Sequence, residues 1–479
     1  MNSKCQIFTP TPYVKKMLDA IGYEGEEILG KYILENSCGE GNILIEIVIR
    51  YIEASISLHH SIQKIKNDLE EYILGFEIDR NIIDICINNL NREVRKYGIK
   101  DVKWKIYNVD YLKYDLQQKV DFVVGNPPYI MYQELETEVR KFIRNNFSTC
   151  FYGKFDYCYA FIEKSIKELN INGRMSYIVP NSLFKNVFGK DIRNLMKDRL
   201  ERIYDYKESF VFGKDILTSP AILCLINNNP ENILIYYDVD NKKEIIIDKT
   251  LLQDKWYFSA GVSINENTNS KKFGDYFKVS NSVATLLNEV FIIDKRNILS
   301  ESNHYIEIEG FYLEKGVLRS AASPRSYSLN REEYIIFPYI YLNGNLERYS
   351  EEEFKSNFPG VYAYLANAYK KLNDRKSDKS AKWFEYGRSQ ALQYLNQEKL
   401  MISSVITNEV KVYQLDKDII PYSGFYIIPL AEKSLDEAVN ILTSKDFYSY
   451  LSLRGINANG KSLRFSVNDI LDFPLESLK

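Results

Sequence analysis

Apolar and polar positions fall in alternating blocks along the first half of the chain, and the blocks predict helices and strands in turn. Thr11-Pro12 reads as a helix start, a capping hydroxyl followed by proline in the first turn, with the helix running to about Ile21. Lys31 to Leu34 is a short apolar strand ending in the polar turn Glu35-Asn36-Ser37-Cys38-Gly39-Glu40-Gly41-Asn42. A helix follows from about Ile43 to Ser57. Glu71 to Phe76 is a second strand, ending at Glu77, and Asn81 to Tyr97 a helix. Trp104 to Val109 is a third strand, ending at Asp110; Val120 to Val124 is a fourth, ending at Gly125-Asn126-Pro127-Pro128-Tyr129. No proline stands between Pro12 and Pro127, so nothing in that stretch breaks a long helix or a buried strand. Phe155 to Leu169 reads as a helix, and Gly173 to Val179 and Ala221 to Ile226 as strands.

Strands alternating with helices predict an α/β fold with a parallel sheet and crossovers. The polar and glycine residues gather where strands end, the edge at which open α/β sheets bind ligands. The pattern stops near Asn227-Asn228-Asn229-Pro230, a loop by composition. Beyond it come short strand-like runs at Ile233 to Tyr237, Glu244 to Ile247, Tyr334 to Tyr341, Val410 to Tyr413 and Phe425 to Pro429. Two helical stretches join them, at about Glu352 to Leu372 and Leu435 to Thr443. The expected division is residues 1–230 and 231–479, which agrees with two or three domains for 479 residues.

Composition narrows the classes. Hydrophobic residues at 45% and charged residues at 27% exclude a disordered or collagen-like chain. The longest apolar run, Ile43 to Ile49, is interrupted by Glu46, so no membrane span is expected. The start, Met1-Asn2-Ser3-Lys4-Cys5, lacks a signal-peptide core, and the expectation is a cytoplasmic protein. A net charge of −3 argues against a histone-like basic coat but leaves local nucleic-acid contact open. Six cysteines form no CxxC pair and the histidines (His59, His60, His304) are scattered, so neither a disulfide framework nor a metal site is expected. The 38 tyrosines and 25 phenylalanines fit an AT-rich genome before they fit base stacking.

The chemistry gathers at Asn126-Pro127-Pro128-Tyr129. Two prolines stiffen the backbone and remove two donors, leaving the Pro127 carbonyl able to accept. The Asn126 side chain offers a second acceptor, and Tyr129 a flat face. Two acceptors beside an aromatic face suit an amino-bearing heteroaromatic ring. The plain alternative is a rigid turn, which the position after three other polar strand ends disfavours. Among those, Gly39 and Gly41 let backbone approach a ligand, although the GxGxxG dinucleotide pattern is not met. Glu77 is placed for ribose hydroxyls. Asp110 is placed to accept from an adenine amino group, with Tyr111 or Leu112 on the ring. Each carboxylate alone reads as an ordinary solvated one; in this order they describe a nucleoside pocket.

These residues resemble the amino-methylating DNA methyltransferases of the TaqI type, the adenine-N6 class, which use S-adenosylmethionine. Phe8-Thr9-Pro10 resembles the family's N-terminal motif beside the cofactor methionine. Glu35-Asn36-Ser37-Cys38-Gly39-Glu40-Gly41 resembles its D-P-A-C-G-S-G turn, with Glu in place of Asp and Asn in place of Pro. Gly75-Phe76-Glu77-Ile78-Asp79 resembles the ribose motif, and Asn108-Val109-Asp110-Tyr111 the cofactor-adenine motif. Asn126-Pro127-Pro128-Tyr129 matches the catalytic motif in full, and Gly173 to Pro180 resembles a later strand. Ser209-Phe210-Val211-Phe212-Gly213 resembles the loop whose aromatic residue backs the target base, with Phe212 the first choice and Phe210 the second. The resemblance covers residues 8 to about 226 in the family's gamma order. It implies a Rossmann-like methyltransferase sheet followed by a mixed α+β target-recognition domain. It further implies Asn126, Pro127 and Tyr129 as catalytic residues. The cofactor would lie on Thr9, Pro10, Glu35, Ser37, Gly39, Gly41, Glu77, Ile78, Asp110, Tyr111 and Asn126. Methyl transfer would be direct, onto the amino group of an adenine swung out of the duplex and held between Tyr129 and Phe212.

The implied partner is double-stranded DNA, with a cognate restriction endonuclease a candidate second partner and a monomer the expected active form. For backbone contact Lys370, Lys371, Arg375, Lys376, Lys379 and Lys382 cluster with only Asp374 and Asp378 between them, and Arg319 and Arg325 flank a turn. Arg388 and Gln390 could read base edges, or equally serve as an ion pair and a buried amide. Cytosine-C5 chemistry is excluded for want of a Pro-Cys nucleophile. N4-cytosine and protein-glutamine methyl transfer remain alternatives; the 253 residues after 226 speak against the second. An RNA methyltransferase lacks a recognised RNA-binding module, and a silent DNA-binding subunit would not need an intact Asn126 and Tyr129.

Overall fold

The computed structural model describes residues 8–207, 211, 219–258, 271–430, 433–459 and 462–475. The chain forms two compact units, one of residues 1–265 with 456–461, the other of residues 266–455 with 462–479.

The first unit is built on a nine-stranded mixed sheet. Its strands are β1 (Ile33–Glu35), β2 (Ile73–Phe76), β3 (Lys105–Tyr107), β4 (Val120–Gly125), β5 (Leu169–Pro180), β6 (Leu200–Asp205), β7 (Pro220–Ile226), β8 (Ile233–Asp238) and β9 (Lys243–Asp248). The spatial order is β3-β2-β1-β4-β5-β7-β6-β8-β9. The first five run parallel, and β7 pairs antiparallel with both β5 and β6. The expected parallel α/β sheet is therefore present, extended by a mixed half.

Both faces of this sheet are covered, which is why its central strands read as unbroken apolar runs rather than alternating ones. Neighbouring residues feed opposite cores: Leu34, Leu74, Val123 and Tyr177 enter one, Ile33, Ile73, Val124 and Ile178 the other. The second core is closed by α1 (Thr11–Ala20), α2 (Asn42–Ser57), α3 (Ile62–Tyr72) and α4 (Arg80–Arg95). The first is closed by α5 (Thr137–Asn146), α6 (Cys158–Glu168) and α7 (Lys190–Lys197). Register aligns the strand ends: Leu34 lies beside both Leu74 and Val123, and Phe76 beside Tyr107. Residues 35–41, 77–79, 108–112 and 125–129 thus leave the sheet at one edge.

Several expectations shift. The division expected at 230 falls inside the sheet, because β8 pairs in parallel with β6 and carries β9 with it. Residues 71 and 72 belong to α3, whose mostly polar sequence hid its apolar stripe of Ile65 and Leu69. β6 and α7 were not foreseen. α1 begins one residue earlier than the cap reading implied, with Pro10 at the cap and Thr11 already helical.

The second unit holds an antiparallel sheet ordered Phe277–Asn281, Phe425–Pro429, Lys399–Ile402, Val412–Leu415. A second four-stranded sheet runs Ile292–Asp294, Glu333–Ile336, Leu318–Ala322, Ile420–Pro421. The helix expected over 352–372 is three pieces, Glu351–Asn357, Pro359–Asn367 and Tyr369–Asn373; Pro359 forces Phe358 out of helical geometry at the first break (φ −136°, ψ 62°), and Ala368 stands at the second. The strand expected over 334–341 is likewise cut at Phe337-Pro338 into Glu333–Ile336 and Tyr339–Leu342.

Candidate active site

Asn126 follows the last residue of β4 and sits between two other segments. Its Nδ2 donates to Thr9 Oγ1 at 3.1 Å, and its backbone carbonyl accepts from Ser37 Oγ at 3.1 Å. Thr9 is 4% exposed, so this bond is shielded from water. With the amide nitrogen turned to Thr9, the amide oxygen is left as the acceptor of the pair. Pro127 is buried. Tyr129 donates its hydroxyl to the Ile178 carbonyl on β5 at 2.8 Å, which fixes the ring's plane. Burial pushes that phenol well above its ordinary range, with Cys158 and Asp156 adding, so it stays neutral.

The turn after β1 lies against this motif. Cys38 donates its amide to the Phe76 carbonyl (2.9 Å) and Gly41 to the Cys38 carbonyl (2.8 Å), curling the chain into α2. Gly41 caps α2 at φ +88°, and a side chain there would meet Cys86 Sγ at 2.7 Å. Gly39 has φ +50° and open space where a Cβ would stand. Its amide donates to Glu77 Oε2 at 3.1 Å, while Ile78 and Asp79 donate to Oε1 at 2.9 and 3.0 Å. Glu77 therefore joins the turn to the end of β2.

Glu35 is 2% exposed, and its Oε2 has no hydrogen-bond partner among the described residues. Burial pushes this carboxyl well above the usual range, Cys86 and Glu77 adding and the Leu44 amide opposing. A buried acid with an unfilled acceptor suits a bound cationic, hydrogen-bond-donating group. Ile78 and Val109 are 47% and 37% exposed on the same edge, an apolar surface of the kind a heterocycle covers. Asp110 spends Oδ1 on the Leu112 amide at 3.0 Å. The ring face expected at Tyr111 lies in the core instead. Tyr111 is 3% exposed, packs on Phe76 and Phe161, and donates its hydroxyl to Glu168 at 2.5 Å. Leu112, the other expected ring partner, is 5% exposed. Pro10 caps α1 beside Thr9. Phe212 and Phe210 lie outside the described residues.

The basic residues of the second unit sort into two groups. Arg375 is a core staple, donating to the carbonyls of Leu372, Thr285, Trp383 and Glu385, and desolvation lowers its pKa. Arg388 pairs with Asp378 at 3.1 Å, the ion-pair reading; Gln390 is exposed, against the buried-amide one. Lys382 bonds to the Tyr349 carbonyl, Lys371 pairs with Glu289 at 2.9 Å, and Arg319 bonds to the Leu318 carbonyl at 2.9 Å. Arg325, Lys376 and Lys379 are exposed.

Sequence reading missed the side chains beneath the site. Asn36, Ser165, Tyr177 and Glu168 are buried and hydrogen-bonded in one cluster with Tyr111. Their only signal was polar residues in otherwise apolar stretches. Asp156 also escaped notice; burial raises its carboxyl to about 6 although the Cys158 amide bonds to it.

Residues 46–212 match the Eco57I restriction-modification methylase family. Relatives of this chain are restriction-modification methyltransferases. It is 24% identical over 503 residues to the Type II restriction enzyme and methyltransferase RM.Eco57I of Escherichia coli, covering 86% of this chain and 50% of that protein. It is 23% identical to the Type II methyltransferase M.HincII of Haemophilus influenzae, covering 99% of this chain and 89% of that one. The chain spans about half the length of RM.Eco57I and 43% of M.XhoI of Xanthomonas vasicola. Among solved structures, the Type IIL restriction-modification enzyme MmeI in complex with DNA superposes with a TM-score of 0.65 at 14% identity, over 98% of this chain and 69% of that one. That likeness shows a shared fold spanning both units. Among the described residues, no helix is long and apolar enough to cross a membrane, and no group of His, Cys, Asp or Glu could hold a metal ion.

Proposed function

We propose that this chain is the DNA methyltransferase of a Type II restriction-modification system, of the TaqI-like adenine-N6 class, with S-adenosylmethionine as donor. One observation carries the reading: Asn126 is held between Thr9 and Ser37, so the amide acceptor and the glycine turn share one corner of the sheet edge. Bound there, the cofactor supplies an electrophilic methyl group. Glu35 and the turn Ser37–Gly41 would hold its amino-acid end, Glu77 its ribose, and Ile78 with Asp110 its adenine.

The amino nitrogen of adenine is a poor nucleophile, since its lone pair is drawn into the ring. Hydrogen bonds from its two N–H groups to Asn126 Oδ1 and the Pro127 carbonyl return electron density and aim the lone pair. This is positioning plus electrostatic stabilisation, with no covalent intermediate. Tyr129, its ring locked by Ile178, supplies the stacking face; stacking is worth roughly 1–3 kcal/mol per base and offsets part of the unstacking cost. The exposed Arg325, Lys376 and Lys379 are the backbone contacts proposed for the second unit, which would read the target sequence.

Tritiated S-adenosylmethionine offered with duplex DNA, RNA and a release-factor protein tests the reading, with nucleoside analysis of labelled DNA. Label in N6-methyladenine is expected. Label in N4-methylcytosine would move the target base, and label only in RNA or protein would discard the proposal.

A further inference from the structure

A buried chain of side chains lies under the site and joins three of its segments. Asn36, in the turn after β1, donates Nδ2 to Ser165 Oγ (2.8 Å) and to the Tyr177 hydroxyl. Ser165 on α6 is 2.8 Å from the Tyr177 hydroxyl and 3.0 Å from that of Tyr111. Tyr111, in the turn that follows β3, reaches Glu168 Oε2 at 2.5 Å, and Glu168 Oε1 pairs with Lys164 at 3.0 Å. All but Lys164 are under 9% exposed.

The proton order follows from valence. Burial raises the Glu168 carboxyl while Tyr111 and Lys164 oppose. Ionised by its pairing with Lys164, Glu168 only accepts, so the single proton of Tyr111 goes to it. Tyr111 must then accept from Ser165, and Ser165 from Tyr177. Having spent its proton, Tyr177 can only accept from Asn36, which sets the Asn36 amide with nitrogen toward the chain and oxygen away. That oxygen lies 3.2 Å from where a Cβ on Gly125 would be, next to Asn126. The chain is thus directed from the residue beside Glu35 to a carboxylate bonded to the residue after Asp110, and passes against the residue before Asn126. The proline of the resembling motif could make none of these bonds at position 36.

We propose that this directed chain sets the cofactor-binding turns in register, with Tyr177 and Glu168 as positioning residues for S-adenosylmethionine. The proposal rests on the reading of the cofactor site above. Every hydroxyl of the chain has a partner, Asn36 Oδ1 alone having none among the described residues. Such a linked buried network favours one arrangement of the groups it joins, whereas a broken one leaves further polar groups without partners. The turns at 35–41 and 110–112 would then bind the cofactor pre-arranged.

Calorimetric titration of S-adenosylmethionine into wild type, Tyr177→Phe, Glu168→Leu and the double variant, each with a thermal melt, tests this. Each single variant is expected to bind about tenfold more weakly, and the double variant no more weakly than the worse single one, since one chain breaks once. KM for the cofactor should rise while kcat holds. Independent losses that multiply in the double variant would overturn the proposal, as would folded single variants that bind like wild type. Where Glu168→Leu does not fold, Tyr111→Phe and Ser165→Ala supply the same cycle. Wild type that takes up no S-adenosylmethionine overturns the cofactor reading and this proposal with it; binding that ignores the variants overturns this proposal alone.

Discussion

Thr9 Oγ1 accepts a hydrogen bond from Asn126 Nδ2 at 3.1 Å, across 117 positions of sequence. The bond decides which end of the Asn126 amide meets a substrate. Thr9→Val keeps the shape and removes the acceptor, so the amide loses its fixed sense. One net hydrogen bond is worth about 1 kcal/mol, and kcat is expected to fall roughly fivefold with cofactor affinity little changed. Thr9→Ser should keep the rate. Steady-state kinetics at saturating cofactor check this; an unimpaired Thr9→Val would remove Thr9 from the site.

Asn126→Ala deletes the acceptor itself. Removing one preorganised partner of a developing charge costs about 10²–10³ in rate. Transfer should drop by that order while titration still detects cofactor binding, because the Ser37 bond is made to the Asn126 backbone and survives. Retained activity would contradict the assigned role.

Two glycines are held by different constraints, and alanine separates them. At Gly41 both φ (+88°) and Cys86 Sγ, 2.7 Å from the added Cβ, oppose a side chain. At Gly125 the backbone is ordinary, and the Cβ only presses Asn36 Oδ1 and the Tyr177 ring, both at 3.2 Å. Gly41→Ala is expected to lose about 1–3 kcal/mol from strain alone, and Gly125→Ala less. Denaturant midpoints would show the order, and a reversed order would mean the turn relaxes freely.

Legibility tracked burial on two faces. The strands β1, β2, β4 and β7 were visible because covered sheets read as apolar runs, and their polar ends marked the edge where Glu35, Glu77, Asp110 and Asn126 gather. β6 was invisible because Glu201 and Arg202 interrupt its apolar run. The helix break at Phe358 was legible in Pro359 and went unused. Tyr111 was read as a ligand face because an aromatic residue after Asp110 suits a ring; only packing against Phe76 and Phe161 reveals its inward direction. The chain through Asn36 and Glu168 joins residues 132 positions apart, and no local pattern announces such a contact.

Asp156 gives a pH signature. Burial raises its folded carboxyl to about 6, with Glu134 adding and Cys158 opposing. The unfolded value is near 3.9. With the folded value raised, the contribution to stability is fully present below pH ~4 and is lost as pH rises through about 6. Asp156→Asn stays neutral and can still accept from the Cys158 amide. Its stability relative to wild type should therefore grow between pH ~4 and 6 and level off above, by about 1–3 kcal/mol. Chemical denaturation at pH 4, 5, 6 and 7 measures it; a difference independent of pH would rule out a titrating Asp156.

The second unit offers a contrast between basic residues four or fewer positions apart. Arg375 is spent on four carbonyls of its own fold, whereas Lys376 and Lys379 are exposed, with no ion pair among the described residues. If the unit binds duplex DNA, neutralised phosphates release counterions, and each contact contributes about 0.9 to the slope of log K against log salt. Lys376→Ala and Lys379→Ala should each reduce that slope by about one and weaken binding alike on cognate and unrelated duplexes, leaving the melting temperature in place. Arg375→Ala should do the reverse, lowering stability because four part-buried carbonyls lose their donor, with the salt slope unchanged in whatever remains folded. Fluorescence anisotropy on a labelled duplex at several salt concentrations distinguishes them. Lysine variants with an unchanged slope would place the DNA on another face, for which Arg325, exposed on the helix Pro324–Ser328, is the next residue to replace.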